Sequence, residues 1–181
     1  MPPLIYSIAN ESDWNNVAAA GPFSVLNVLN ITADFTFTAP PAVLPVGSAT
    51  FNGGSKTITF DFPDACQGIM TLNGGSISNL NINIVQWRGE SVLLANSDAF
   101  GLVSNISYTG SLSSDTSLLI DTLNCGANTL TLLGIDINLT VTATTNILWN
   151  IYLSGILIKT NVTLSINGNA MEHPDNTRIH P

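Results

Sequence analysis

Four side chains form the densest group with the means to do chemistry: Asp61, Asp64, Arg88 and Glu90. Carboxylates gathered beside an arginine suit either a divalent cation held by oxygen ligands or a proton transfer steadied by a fixed positive charge. The simpler reading of the same residues is a solvated loop carrying a surface ion pair, and no catalytic role is expected of them. His173 and His180 fall in the polar, proline-containing stretch Glu172–Pro181, where no serine and aspartate join them in a triad. Cys66 and Cys125 are the two cysteines and have neither metal-ligand nor redox spacing, so buried free thiols are expected. No cofactor and no metal follow from any of these residues.

The elements that would position such groups begin with the whole chain. Its 181 residues suit one domain with a substantial core. Twelve acidic against four basic residues give a net charge of −8, which repels phosphates and anionic headgroups and disfavours nucleic acid as a partner. Val, Ile, Leu, Thr, Asn, Ser and Gly dominate while charges are scarce, a strand-forming composition. The opening Met1-Pro2-Pro3-Leu4-Ile5-Tyr6 has no basic residue ahead of an apolar run and reads as non-secretory. No apolar stretch approaches the ~18 residues of a membrane span, so no membrane insertion is expected. Sequons at Asn10, Asn30, Asn105, Asn138 and Asn161 are attributed to the Thr- and Asn-rich composition rather than to glycosylation.

Residues 12–22 offer a capping Ser12, a run of alanines and a Gly21-Pro22 stop, which predicts a short helix. Trp14, Val17 and Ala18 share one of its faces and would cover the open end of a β structure. Beyond Pro22, short alternating segments recur. Taking Phe35, Ile58, Leu80, Ile106, Ile135 and Ile156 as anchors gives spacings of 23, 22, 26, 29 and 21 residues. Second apolar clusters begin at Ile69, Val92, Leu118 and Ile147, 11 or 12 residues past an anchor, so each repeat carries at least two strands. A β-sandwich also has short strands but gives no reason for two strands to recur at one offset.

The segments 51–60 (FNGGSKTITF) and 73–82 (NGGSISNLNI) join a glycine-rich turn to an alternating strand. On these the chain resembles the right-handed parallel β-helix superfamily of pectate-lyase type over residues 23–168. The resemblance implies an all-β fold: a single right-handed parallel β-helix of about six coils with a short N-terminal capping helix. The expected division is 1–22 for the helical segment, 23–168 for the β-helix and 169–181 for a flexible tail. Asn79 and Asn105 would occupy equivalent turns, where stacked amides hydrogen-bond from coil to coil. Members of the superfamily cleave polysaccharides, which makes a calcium site at Asp61, Asp64, Arg88 and Glu90 the enzymatic alternative. Asp61 and Asp136 fall three coils apart, about 14 Å, whereas glycosidase carboxyl pairs are ~5–9.5 Å apart.

The expected function is that of a non-catalytic structural or interaction protein. It is similar to the short trimeric β-helices of viral particles and fibres, which implies a homotrimer in the virion or in the host-cell cytoplasm or nucleus, with a host protein or a glycan as a further partner. The interface is expected along Met70, Leu93, Leu119 and Leu148, because three consecutive apolar residues in each second strand suggest that both faces are covered. The rivals are a polysaccharide-binding or polysaccharide-cleaving β-helix and an ice-binding solenoid that uses the outward hydroxyls of Thr36, Thr38, Thr59, Ser107 and Thr109.

Overall fold

Alternation of apolar and polar residues over three to five positions, interrupted by Gly or Asn, favours short extended runs whose inner side chains need a cover. In the computed structural model, which describes residues 2–112, 116–142, 145–146, 149–170 and 178–179, that cover comes from the chain's own next turn. The elements are β1 (Leu4–Ile8), α1 (Glu11–Ala20), β2 (Asn27–Ile31), β3 (Phe35–Phe37), β4 (Leu44–Gly47), β5 (Thr50–Gln67), β6 (Met70–Ser91), β7 (Phe100–Leu112), β8 (Ile120–Val141), β9 (Thr145–Asn146), β10 (Trp149–Ile166), β11 (Asn169–Ala170) and β12 (Arg178–Ile179). Every pairing from β1 through β10 along the main sheet is parallel. The chain is a parallel β-solenoid of about six turns.

The long strands bend, so each coil contributes to three stacks of rungs. The first stack, face I, carries the inward column Leu29, Phe51, Ile77, Val103 and Leu132. Face II carries Phe35, Ile58, Ile82, Tyr108, Ile137 and Leu164 in register, at spacings of 23, 24, 26, 29 and 27 residues. Face III stacks Leu44, Met70, Leu94 and Ile120. Their side chains meet in one continuous core, in which Phe37 stacks on Phe60 at 5.7 Å and the buried Tyr108 hydroxyl donates to the Leu118 carbonyl at 3.2 Å.

The register differs from the anchor spacing at two places. Ile58 pairs with Ile82 rather than Leu80, and Ile135 pairs with Val162 rather than Ile156. The frame is set by the corner between faces I and II, where Ser55, Asn79, Asn105, Gly134 and Asn161 all hold φ between +53° and +65°. Ile58 is three residues past its corner and Leu80 one, so equal appearance in sequence is not equal position. Ile156 lies before the corner, on face I, where it pairs with Thr129.

The N-terminal segment also differs in extent. β1 pairs in parallel with β2, from Leu4 with Asn27 to Ile8 with Ile31, so pairing starts well before residue 23. Helix α1 follows β1 and packs against β1, β3 and β4. Its cap is Asn10 rather than Ser12: Asn10 Oδ1 accepts from the Asp13 amide at 2.9 Å, and Asp13 Oδ2 accepts from the Ala9 amide at 3.0 Å. Those reciprocal bonds start the helix two residues earlier than a serine cap would. Trp14 is fully buried, packs edge-on against Phe37 and donates from Nε1 to the Ala42 carbonyl at 2.8 Å, fixing the helix to the coils it covers. At the other end, β11 turns back against Ser165–Ile166 and β12 pairs with β9, so parts of the expected tail are paired.

The corner amides form the anticipated ladder. Asn105 Nδ2 donates to Asn79 Oδ1 at 3.1 Å, and Asn79 Nδ2 donates to Asn52 Oδ1 at 3.1 Å. Replacing Asn105 therefore separates two effects. Asn105→Gly should lose only the hydrogen bond, about 1 kcal/mol. Asn105→Val should lose that and a further ~1–2 kcal/mol for a branched residue in the left-handed region. Urea unfolding of both variants checks the order; equal losses would mean that the corner conformation is not a constraint.

Candidate functional site

The most uniform surface is the outer side of face II. One column runs Thr57, Asn81, Ser107, Asp136 and Thr163; its neighbour runs Thr36, Thr59, Asn83, Thr109, Asn138 and Ser165. Rungs of a parallel sheet are about 4.8 Å apart, and alternate residues along a strand about 6.6 Å apart, so these side chains form a regular lattice. Neighbours in it are linked: Thr109 Oγ1 donates to Asn83 Oδ1 at 3.4 Å, Thr163 Oγ1 donates to Asp136, and Asn81 Nδ2 donates to the Ser55 carbonyl at 2.9 Å. The surface offers hydroxyl and amide donors and acceptors in rows, with a single carboxylate. Such an array makes many weak, directional hydrogen bonds at once.

The register correction made this surface visible. With Ile156 as an anchor, Leu157 and Lys159 fall into the outward hydroxyl array and break it. In the structure they lie on face I, paired with Leu130 and Leu132, and Thr163 and Ser165 take their places.

The charged group falls elsewhere. Asp61, Asp64, Arg88 and Glu90 are all exposed. Asp61 accepts from Gln86 Nε2 at 2.9 Å, Arg88 pairs by backbone with Ala65, and among the described residues no ion pair joins the four. Glu90 instead lines a cleft of about 200 Å³ with Gln67, Ser91, Ser97, Asp121 and Thr122. Asp121 belongs to the next coil, a neighbour that only the stacking register reveals. Among the described residues no three His, Cys, Asp or Glu side chains come together as a metal site. His173 and His180 lie outside the described residues.

The expected interface stripe is interior. Met70 and Leu93 are fully buried within the single chain and Leu119 is 3% exposed; Leu148 lies outside the described residues. The chain bends at residues 92–93 and 118–119, and Ser91 Oγ closes the first bend by donating to the Leu94 carbonyl at 2.8 Å. A bend breaks the two-residue alternation, so three consecutive apolar side chains enter the core from a corner. Met70 also pairs with Leu94, not Leu93. Met70, Leu93 and Leu119 therefore offer no exposed apolar stripe for a lateral contact.

Both cysteines are buried and free. Burial pushes the Cys66 thiol up from 9.0 to about 11, partly offset by a backbone hydrogen bond at Gln67.

No protein-family model matches the chain, and no curated protein or solved structure matches it. The parallel solenoid accordingly stands on its own strand register.

Two outcomes follow. Leu119→Asp places an unpaired carboxylate in the core and should cost about 3 kcal/mol or more, read as a lower urea midpoint. A variant as stable as the parent would return Leu119 to the surface. Because folded Cys66 holds its proton more tightly than the unfolded chain, its contribution to stability is complete below pH 9 and is lost as pH rises toward 11. The parent's urea midpoint should therefore fall more steeply over that range than that of Cys66→Ala; parallel curves would count against the shift.

Proposed function

We propose that the protein is a non-catalytic binding scaffold whose outer face II engages an extended, uncharged, hydroxyl-rich polymer, a neutral glycan. The observation that carries this reading is the composition of that face: eleven outward positions in two columns hold Thr, Ser and Asn with one Asp, and no aliphatic, aromatic or basic residue. Hydroxyl and amide groups are the hydrogen-bonding complement of sugar hydroxyls. A row of them repeating with the coils suits a ligand that itself repeats, and many weak contacts sum along it. A net charge of −8 disfavours acidic polymers.

Ice fits less well. Asn81, Asn83, Asp136 and Asn138 interrupt the threonines with longer side chains, and the Thr109 and Thr163 hydroxyls are engaged with neighbouring rungs.

Affinity electrophoresis against neutral and acidic polysaccharides tests the reading. Retardation by neutral polymers is expected, with little by acidic ones. Asn83→Arg combined with Asn138→Arg fills the lattice with bulky charged groups at surface positions, and it should weaken retention by roughly tenfold while leaving the fold intact. A protein that no neutral polymer retards, or a double variant that binds like the parent, would refute the proposal.

A further inference from the structure

Most of the exposed large aliphatic side chains among the described residues lie at the two ends of the solenoid, with Val43, Val85 and Leu133 in the coils between. Leu4, Ile5 and Leu26 lie at the β1 end, and Leu153, Ile156 and Ile158 in the last coil. Ile5 is 60% exposed and Ile158 is 49% exposed, well beyond what isolated β-surface positions need. They are also the two ends of one column. The outward residues of face I run Ile5, Val28, Thr50, Ser76, Leu102, Thr131 and Ile158, each paired with the next. The adjacent column starts at Ser7 and ends at Thr160 by the same register.

β1 is terminal in the sheet order and pairs only with β2. Its sequence, Leu4-Ile5-Tyr6-Ser7-Ile8, has none of the charges or prolines with which natural proteins blunt an edge strand. At the far end, among the described residues, β10 pairs beyond β8 only with β11, at Ser165–Ile166, and its face I run Ile156–Thr160, with Lys159 in it, is the stack in line with β1.

We propose that the chain associates with a second copy of itself end to end, β1 of one copy extending face I of the other in parallel beyond β10. Continuing the columns by one rung sets Ile5 of one copy over Ile158 of the next, and Ser7 over Thr160. All strands of face I run the same way, so the two ends are complementary rather than identical. A contact between unlike patches does not close on itself unless the rotation permits, and it builds rows. This inference uses face I and is independent of the glycan reading of face II.

Sedimentation velocity of the full chain across a concentration series, with electron microscopy of the densest samples, provides the test. The parent should show a ladder of species that lengthens with concentration. Ile5→Lys and Ile158→Lys each set a charge against the apolar side chain of the facing end strand, the device by which edge strands resist pairing, and each alone should weaken association by roughly tenfold or more. Both sites are exposed, so far-UV circular dichroism should match the parent; Ile5→Ser and Ile158→Ser serve as a milder pair if it does not.

Mixing the two lysine variants decides the geometry. Each supplies the end that the other lacks, so the mixture should form a one-to-one dimer and stop there. A monomeric parent at every concentration, assembly that either variant leaves unchanged, or a mixture that stays monomeric would overturn the proposal. So would a dimer that one variant abolishes and the other does not affect, which would show that like ends meet.

Discussion

The five coils of β5, β6, β7, β8 and β10 pass from face I to face II through a corner at positive φ: Ser55, which follows Gly54, then Asn79, Asn105, Gly134 and Asn161. The left-handed conformation turns the chain within one or two residues, so the rungs on either side stay in register with the coils above and below. Four of the five are residues for which that conformation is sterically costly, and three are asparagines, whose short amides tolerate it best. The amide also supplies a bond along the stack, from Asn105 to Asn79 and from Asn79 to Asn52. Gly134 meets the backbone requirement without that bond; a β-carbon there would lie 2.8 Å from Asn105 Oδ1. The same position thus sets the turn, the register and part of the contact between coils.

Register then determines which side chains share an environment. Phe37 meets Phe60, Trp14 closes over Phe37, and the buried apolar residues of successive coils join in one continuous core. Loop length is free to vary because it does not enter the register, which is why successive turns of face II take from 23 to 29 residues. A solenoid stabilised in this way has two ends whose backbone and apolar columns point at nothing within the coil series. Helix α1 answers part of the need at one end, and the β11 turn part of it at the other.

Much of this was legible in the chain. The Asn-Gly-Gly turns and the alternation after them mark repeating strands, and the helix with Trp14 and Val17 on its buried face was visible from its alanines and its Gly-Pro end. The local frame was harder to read. An apolar residue after a polar one looks the same whether it follows the corner directly, as Leu80 does, or precedes it, as Ile156 does. A bend looks the same as a strand covered on both sides, and so Leu93 and Leu119 suggested a surface where there is core. Asn10 and Ser12 are both good capping residues, and only the pair of bonds between Asn10 and Asp13 distinguishes them. Neighbours such as Glu90 and Asp121 are joined by stacking across coils of unequal length, which no local pattern encodes.

The outer positions of faces I and II stand on the same kind of backbone and meet the same solvent, yet they differ in composition. Face I admits Ile5, Val28, Leu102, Leu133 and Ile158 among its outward residues. Face II admits none across two full columns. Strand propensity favours Val, Ile, Tyr and Phe at least as strongly as Thr, and it disfavours Asn and Asp, so propensity alone would not remove aliphatic side chains from one face and leave them on the other. Solubility would be served as well by lysine and glutamate, which the face also lacks. What separates the two faces is the side chains they present: rows of uncharged hydrogen-bonding groups on one side, and on the other apolar residues that include Ile5 and Ile158 at its two ends.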